Sequence, residues 1–113
     1  MAIEIDGQTV EIDTEGYLMN PEEWNKQIAE HLARLEEVEL TELHWKVFNF
    51  MREFYADRRV IPDVRFVNKY LAEELGEDKK EARKRLFEMF PYGYVKQACK
   101  ISGMKRPRAW STG

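Results

Sequence analysis

The sequence predicts a mainly α protein, a small helical bundle with a short β-hairpin at its N-terminus. Three observations indicate this fold class. Polar and apolar residues alternate over the first dozen positions, apolar residues then recur at helical spacing up to about residue 102, and helix caps or breakers separate the periodic segments. A chain of 113 residues, 43% hydrophobic and 12% aromatic, can build one modest core. We therefore expect a single domain over residues 1–113.

The N-terminal segment has the period-two pattern of a hairpin. Its apolar residues on either side of Gly7-Gln8 are Ile3, Ile5, Val10 and Ile12. Because a two-stranded hairpin is only marginally stable alone, we expect it to pack against the helices.

The first helix is predicted to begin at Asn20. The run Asn20-Pro21-Glu22-Glu23 combines an N-cap, a proline in the first turn and a glutamate at N3. The apolar residues that follow on one face are Trp24, Ile28, Leu32 and Leu35. His31 is expected at the edge of this face.

The second helix is predicted to begin after Thr41, a residue type typical of an N-cap. The residues expected on its buried face are Leu43, Val47, Phe50, Met51 and Phe54. We interpret His44 as a packed structural histidine, because no serine, cysteine or carboxylate is placed beside it by sequence. Neither histidine supports a catalytic role.

Two further helices follow as a closely spaced pair. Pro62 opens the third, whose inward residues are Val64, Val67, Leu71 and Leu75, and Gly76 ends it. The fourth runs from about Lys79 to Phe90. This pair also resembles a helix-turn-helix unit that could contact nucleic acid through Lys79, Lys80, Arg83, Lys84 and Arg85. A purely structural helix pair is the commoner arrangement.

Pro91 and Gly93 interrupt the chain before a short fifth helix that ends at about Ser102. Residues 104–113 have few apolar side chains, and Pro107 blocks helix continuation. The sequence therefore predicts a mobile C-terminal arm over residues 104–113.

Positive charge is concentrated in the C-terminal third. Residues 79–108 carry ten lysines and arginines against two glutamates, a balance of +8, so the rest of the chain carries −11 of the total net charge of −3. This asymmetry favours an acidic partner, either a protein surface or nucleic acid. A solvated basic helix face is an equally good interpretation.

Composition also limits the compartment and the chemistry. No apolar run approaches the roughly 18 residues of a membrane span, and the acidic N-terminus is unlike a signal peptide, so we expect a cytoplasmic protein without membrane contact. One cysteine excludes an internal disulfide, and one thiol with two histidines argues against a zinc site. We expect neither a metal nor a cofactor.

Cys99 is the candidate catalytic residue. Helical spacing puts it on or beside the inward face of the fifth helix, so a small buried hydrophobe is the first interpretation. A reactive thiolate is the alternative, because Lys96 and Lys100 lie within one turn and would lower the thiol pKa if the sulfur reached solvent.

Two other features suggest partner binding. Arg65 and Lys69 lie one helical turn apart and form a positive pair suited to a carboxylate, a phosphate or a persulfide-bearing tail. Trp110 stands among small and polar residues in the predicted arm. An exposed tryptophan of this kind is typical of a side chain that docks into a pocket.

Several motifs share their residue types and spacing with one family. In the first half they are Glu15-Gly16-Tyr17-Leu18, Leu40-Thr41, His44-Trp45, Phe50, Arg52 and Phe54-Tyr55. In the second half they are Pro62, Arg65, Lys69, Phe90-Pro91, Gly93, Lys96-Gln97-Ala98, Lys100-Ile101 and Gly103. With these residues the chain resembles the TusE/DsrC sulfur-relay family over nearly its whole length. The resemblance implies an orthogonal helical bundle with an N-terminal hairpin and a mobile C-terminal arm.

The resemblance also implies sulfur trafficking. Family members accept a sulfane sulfur as a persulfide on a cysteine near the end of the arm and deliver it to a partner. TusE proteins serve tRNA thiolation, and the arm of DsrC proteins docks into dissimilatory sulfite reductase. In this chain the carrier cysteine is replaced by Trp110, while Cys99 falls on the upstream cysteine of DsrC proteins.

Three functions follow as hypotheses. The first is an accessory or regulatory protein that docks to sulfur-relay proteins or to a sulfite-reductase-like complex. Its partner-binding residues would be Arg65, Lys69, Lys96, Lys100, Lys105, Arg106 and Trp110. The second is a sulfur carrier, a sulfurtransferase that uses Cys99. The third is a DNA-binding regulator that uses the third and fourth helices.

Overall fold

The computed structural model describes residues 1–107 of the chain. Within this range the fold is mainly α, with a two-stranded antiparallel hairpin at the N-terminus, as predicted. The predicted docking residue Trp110 lies outside the described residues. Within them, no helix combines the length and the apolar character needed to cross a membrane.

The hairpin pairs β1 (Ala2–Ile5) with β2 (Gln8–Glu11), and Ile3 lies opposite Val10. Asp6 and Gly7 both have positive φ, 50° and 83°, the conformation that a tight two-residue turn requires. β1 packs against the first helix, so the hairpin rests on the bundle as expected.

The first helix differs from its prediction at its start and in the exposure of Leu35. Asn20 caps only a 3₁₀ helix, Pro21–Glu23, and α1 (Lys26–Leu35) begins after a second cap, Asn25, which accepts a hydrogen bond from the Ile28 amide at 2.9 Å. Trp24 between them is extended, which lets its indole N–H reach the Ile101 carbonyl at 2.8 Å. Leu35, predicted to face inward, is 66% exposed.

The helix α2 (Glu42–Arg58) begins at Thr41 as predicted, with a capping box in which the N3 side chain is His44. Its buried residues are His44, Val47, Phe48 and Met51, so Val47 and Met51 are buried as predicted and the rest of the buried face lies toward His44 and Phe48. Phe50 and Phe54 are only partly buried, because they pack on Tyr70 and Phe66 at the edge of the bundle instead of in the core.

The predicted helix pair is confirmed as α3 (Val64–Leu75) and α4 (Lys79–Met89). Asp63 caps α3 and Asp78 caps α4, each through its side chain. Gly76 ends α3 with a φ of 66°, the left-handed conformation that glycine adopts at little cost. The two helices pack against each other across this short turn.

The fifth helix, α5 (Tyr94–Cys99), has π-type geometry, and Lys100 and Ile101 continue it as α-helix. The chain does not leave the bundle at residue 104, where the sequence predicts the start of the arm. The Met104 side chain is 0% exposed, and its amide donates to the Cys99 carbonyl at 3.0 Å. The packed part of the chain therefore extends past the end of α5.

Candidate functional site

The candidate site is the region around Cys99 and the point where the C-terminal segment leaves the bundle. Cys99, on the inward side of α5, is 0% exposed and is the only cysteine in the sequence. Burial raises the pKa of its thiol to about 12, and the neighbouring Tyr94 hydroxyl offsets this only in part. The first interpretation, a small buried side chain, therefore describes the ground state of the protein.

The two lysines do not activate this thiol as the alternative interpretation requires. Lys96 is exposed, and Lys100 extends away toward Glu36, where its Nζ lies 3.3 Å from Oε2. The same ammonium lies 5.1 Å from the centre of the Tyr17 ring. Lys100 is thus engaged within the protein, and the expected lowering of the thiol pKa is not found.

Two tyrosines hold α5 in place. The Tyr94 hydroxyl donates to the Pro62 carbonyl before α3, and the Tyr17 hydroxyl donates to the Val95 carbonyl at 2.8 Å. Burial raises the pKa of Tyr17 to about 12 and raises the pKa of Tyr94 as well, so both remain neutral donors near pH 7. Exposure of Cys99 would require these contacts to open.

An arginine fixes the end of this segment, in an arrangement that we call the Arg52 clamp. Nη1 of Arg52 donates to the Ser102 carbonyl at 2.7 Å and Nη2 donates to the Pro21 carbonyl at 2.8 Å. The guanidinium carbon lies 4.3 Å from the centre of the Trp24 ring. A Cβ at Gly103 would lie 2.3 Å from Cδ1 of Trp24, so only glycine permits this close approach. The clamp sets the direction in which the chain continues.

Beyond the clamp lies a surface groove of about 460 Å³, which we call the exit groove. It is lined by Tyr55, Arg59, Val60, Ile61, Lys105, Arg106 and Pro107. Val60 is 54% exposed, and Nη1 of Arg106 lies 2.6 Å from Oε2 of Glu15. The groove therefore combines apolar surface with three cations at the point where the described chain ends.

Among the predicted partner-binding residues that lie within residues 1–107, only Lys105 and Arg106 line the same groove. Arg65 pairs with Asp63 at 3.2 Å and lines a groove between α3 and α4. Lys69 lines a different groove, beside the aromatic residues of α2 and α3. The positive pair proposed for Arg65 and Lys69 thus faces two separate grooves.

The basic cluster of α4 is also divided. Lys79, Lys80 and Arg83 line the groove that Arg65 shares, Lys84 is exposed elsewhere, and Arg85 is paired with Glu77. His44 is confirmed as a structural residue. Its Nδ1 accepts from the Thr41 amide at 3.2 Å, and its Nε2 lies 3.0 Å from the Met89 carbonyl.

Sequence reasoning missed the Arg52 clamp and the apolar part of the exit groove. Arg52 belongs to the motifs that carry the family resemblance, and it directly follows the buried Met51. This position, at the edge of a buried helix face, was the sequence feature that could have indicated a structural arginine. Val60 and Ile61 follow the end of α2 and carry no periodic pattern, so no signal marked them.

The family described as DsrC like protein matches residues 4–109. The chain belongs to the TusE/DsrC family. Sulfurtransferase TusE of Photorhabdus laumondii is 44% identical over 102 residues, which cover 90% of this chain and 91% of that protein. The sulfur-relay family and its helical fold, expected from the motifs, are thereby confirmed.

Two solved structures support the same assignment. DsrC of Allochromatium vinosum, solved by NMR, is 40% identical, has a TM-score of 0.83, and the alignment covers 96% of this chain and 98% of that one. The oxidised gamma-subunit of dissimilatory sulfite reductase (DsrC) of Archaeoglobus fulgidus is 30% identical with a TM-score of 0.84 and the same coverage. The family fold thus spans nearly the whole chain.

Proposed function

We propose that this member of the TusE/DsrC family acts in sulfur relay by docking to sulfur-transfer partners, as an accessory or regulatory protein, and does not itself carry sulfur. The observation that supports this proposal is the state of Cys99. The chain has one thiol, and that thiol is enclosed with its pKa raised to about 12.

The chemistry of persulfide formation explains why this observation matters. A thiolate sulfur must attack the terminal sulfur of a donor persulfide, form a new S–S bond and release the donor thiolate. A buried thiol of pKa about 12 offers neither access nor an appreciable thiolate fraction near pH 7. The family resemblance puts the usual carrier cysteine at the position of Trp110, which has no thiol.

The exit groove is the proposed docking surface. Its cations Arg59, Lys105 and Arg106 suit an acidic rim on a partner, and the exposed Val60 offers an apolar anchor point. Trp110 follows Pro107 by three residues, within reach of the same partner. A sulfur-relay protein or a sulfite-reductase-like complex is the proposed partner, because the relative from Archaeoglobus fulgidus is described as a subunit of dissimilatory sulfite reductase.

A sulfur carrier that uses Cys99 is the second candidate function. The name of the Photorhabdus relative, sulfurtransferase, favours it. This function would require α5 to open, with loss of the hydrogen bonds from Tyr94 to Pro62 and from Tyr17 to Val95. DNA binding through α3 and α4 stays a prediction that a mobility-shift assay at low salt can test.

The loading experiment separates docking from carriage. The purified protein is incubated with a cysteine desulfurase, a sulfurtransferase donor and cysteine, and its intact mass is measured. A family member with the cysteine near its C-terminus serves as the positive control, and C99S is the negative control. We expect no added sulfur on this chain under conditions that load the positive control. A persulfide mapped to Cys99 would make the protein a carrier and overturn the proposal.

A further inference from the structure

A second groove lies between α3 and the N-terminal turn of α4. It encloses about 360 Å³ and is lined by Arg65, Asn68, Lys79, Lys80 and Arg83. We call it the α3–α4 groove. Its lining residues are separate from those of the exit groove, which is the proposed docking surface, and only Arg65 among them was predicted to bind a sulfur-relay partner. Its volume falls in the lower part of the range of about 300–1,000 Å³ that is typical of small-molecule sites.

The charge of this groove is entirely positive. Four of its five lining residues are cations, and none is a carboxylate. Arg65 has an exposed pairing with Asp63, whereas Lys79, Lys80 and Arg83 have no ion pair among residues 1–107. The first turn of α4 adds the positive end of a helix dipole, although the Asp78 carboxylate caps this turn by accepting from the Glu81 amide.

A buried amide distinguishes the groove from an ordinary basic surface. Asn68 is only 6% exposed, and its carbonyl oxygen has no hydrogen-bond partner in the described part of the chain. Buried side-chain oxygens are normally paired, because a buried acceptor without a donor is costly. Rotation of the amide about its terminal bond exchanges its oxygen and nitrogen, so the buried oxygen can take the position of the nitrogen and accept from a donor in the groove.

We propose that the α3–α4 groove binds the phosphate monoester of a sugar, as a free sugar phosphate or as part of a nucleotide. A phosphate concentrates a charge of about −1.5 to −2 in one group, which matches several cations that converge on one small space. The carboxylates of an acidic peptide are spaced along a chain and match this arrangement less well. A sugar hydroxyl beside the phosphate supplies the hydrogen-bond donor that Asn68 lacks.

The site is tested by titrating the ¹⁵N-labelled full-length chain with ribose 5-phosphate, AMP, adenosine and inorganic phosphate. We expect saturable shifts of the Asn68 side-chain amide and of the backbone amides of residues 79–83 with both sugar phosphates. Adenosine, which lacks the phosphate, should give none. Absence of saturable shifts with ribose 5-phosphate and AMP at millimolar concentration would overturn the proposal.

Two variants examine the charges and the amide separately. K79Q/K80Q/R83Q should weaken binding of ribose 5-phosphate at least tenfold. The control K26Q/R34Q/R58Q removes the same charge from exposed positions outside the groove and should leave binding within about twofold. N68A should weaken the binding of ribose 5-phosphate more than the binding of inorganic phosphate, because only ribose 5-phosphate carries a sugar hydroxyl. Equal effects of N68A on both ligands, in a variant with wild-type far-UV circular dichroism, would contradict the assigned role of Asn68.

Two further ligands identify a different occupant. A 5′-phosphorylated oligoribonucleotide that binds through these cations when AMP does not would make the groove a nucleic-acid surface. An acidic peptide that shifts the same amides when neither sugar phosphate does would make it a protein-binding surface. Either result would overturn the small-ligand site.

Discussion

The segment that contains Cys99 and the α3–α4 groove differ in how many of their polar side chains have partners. Around α5, the hydroxyls of Tyr17 and Tyr94 and the guanidinium of Arg52 are all paired with backbone carbonyls. In the α3–α4 groove, Lys79, Lys80 and Arg83 are exposed and have no ion pair among residues 1–107, and Asn68 lacks a partner for its oxygen. The comparison teaches that the only thiol lies in a segment whose polar side chains are paired, while within the described residues the α3–α4 groove combines exposed cations without ion pairs with a buried acceptor that lacks a donor. Cys99 is thus enclosed in the paired segment, and the surfaces proposed for binding lie elsewhere on the protein.

The largest expected effect concerns the reactivity of Cys99. At pH 8 a thiol of pKa about 12 holds about 1,000-fold less thiolate than one with the ordinary value of 9.0. The higher nucleophilicity of a high-pKa thiolate offsets part of this difference, so we expect iodoacetamide to modify the native protein more slowly than the protein in denaturant by about 30-fold or more, and mass spectrometry measures both rates. The labelling reports one site, because the chain has one cysteine. Comparable alkylation rates in the two states would show that Cys99 is accessible in the native protein and would contradict its enclosure.

The second prediction concerns the Arg52 clamp, whose removal should loosen the segment that encloses Cys99. R52A removes two charge-assisted hydrogen bonds and leaves the carbonyls of Ser102 and Pro21 without their donor. We expect the free energy of unfolding to fall by about 2–4 kcal/mol in urea titrations. Alkylation of Cys99 in R52A should also accelerate under native conditions.

The matched control for R52A lies on the same helix. R58A removes an exposed arginine that stacks on the Phe54 ring, and it should cost less than about 1 kcal/mol. Equal losses of stability in the two variants would show that the carbonyl contacts of Arg52 contribute little.

The third prediction concerns the exit groove. K105E/R106E reverses two of its three cations, and it should weaken binding to a sulfur-relay partner about tenfold or more in surface plasmon resonance. The same variant should leave the alkylation rate of Cys99 unchanged, because neither side chain contributes to its enclosure. K26E, a single exposed change on α1, should leave partner binding unaffected. Undiminished affinity of K105E/R106E would remove the exit groove from the docking surface.

The smallest expected effect is a pH dependence from His44. Burial lowers the pKa of His44 below its ordinary value of 6.5, and the hydrogen bond to the Met89 carbonyl offsets this only in part. The unfolded chain therefore takes up a proton at this residue at a higher pH than the folded chain does. The contribution of neutral His44 to the free energy of unfolding should be fully present above pH 6.5 and should decline as the pH falls below it.

Urea titrations between pH 5 and 7.5 measure this dependence. H44Q should flatten it, whereas H31Q changes a half-buried histidine that has no side-chain hydrogen bond among residues 1–107 and serves as the control. An identical slope in H44Q and the wild type would assign the pH dependence to other groups.

Much of the fold was predictable because its signals are local. The caps Thr41 and Gly76 and the turn at Gly7 act through their own backbone angles, and the structure confirms them. Asn20 shows the limit of this reasoning. It caps the 3₁₀ helix Pro21–Glu23, but Asn25 provides a second cap, at which α1 begins. Trp24 lies in the break between these two helices and donates a hydrogen bond to Ile101, 77 residues away, a partner that the sequence pattern does not indicate.

The candidate site was predictable as a set of residue types and not as an arrangement. Cys99 was correctly placed on the inward side of α5, but its pKa was expected to respond to Lys96 and Lys100, its neighbours in the helix. Lys100 instead meets Glu36, a residue 64 positions away that periodicity could not place beside it. Met104 was assigned to the arm for its polar neighbours, yet its own side chain is buried.

The sequence by itself determined the family, the order of the helices, their caps and the presence of a single cysteine without a second near the C-terminus. These depend on residue identity and on spacing along the chain. Only the tertiary structure decided that the thiol is enclosed, that Arg52 holds the end of α5, and that the basic residues divide between separate grooves. Burial, pKa and charge complementarity depend on groups that meet across the fold, and a linear pattern carries no record of those distances.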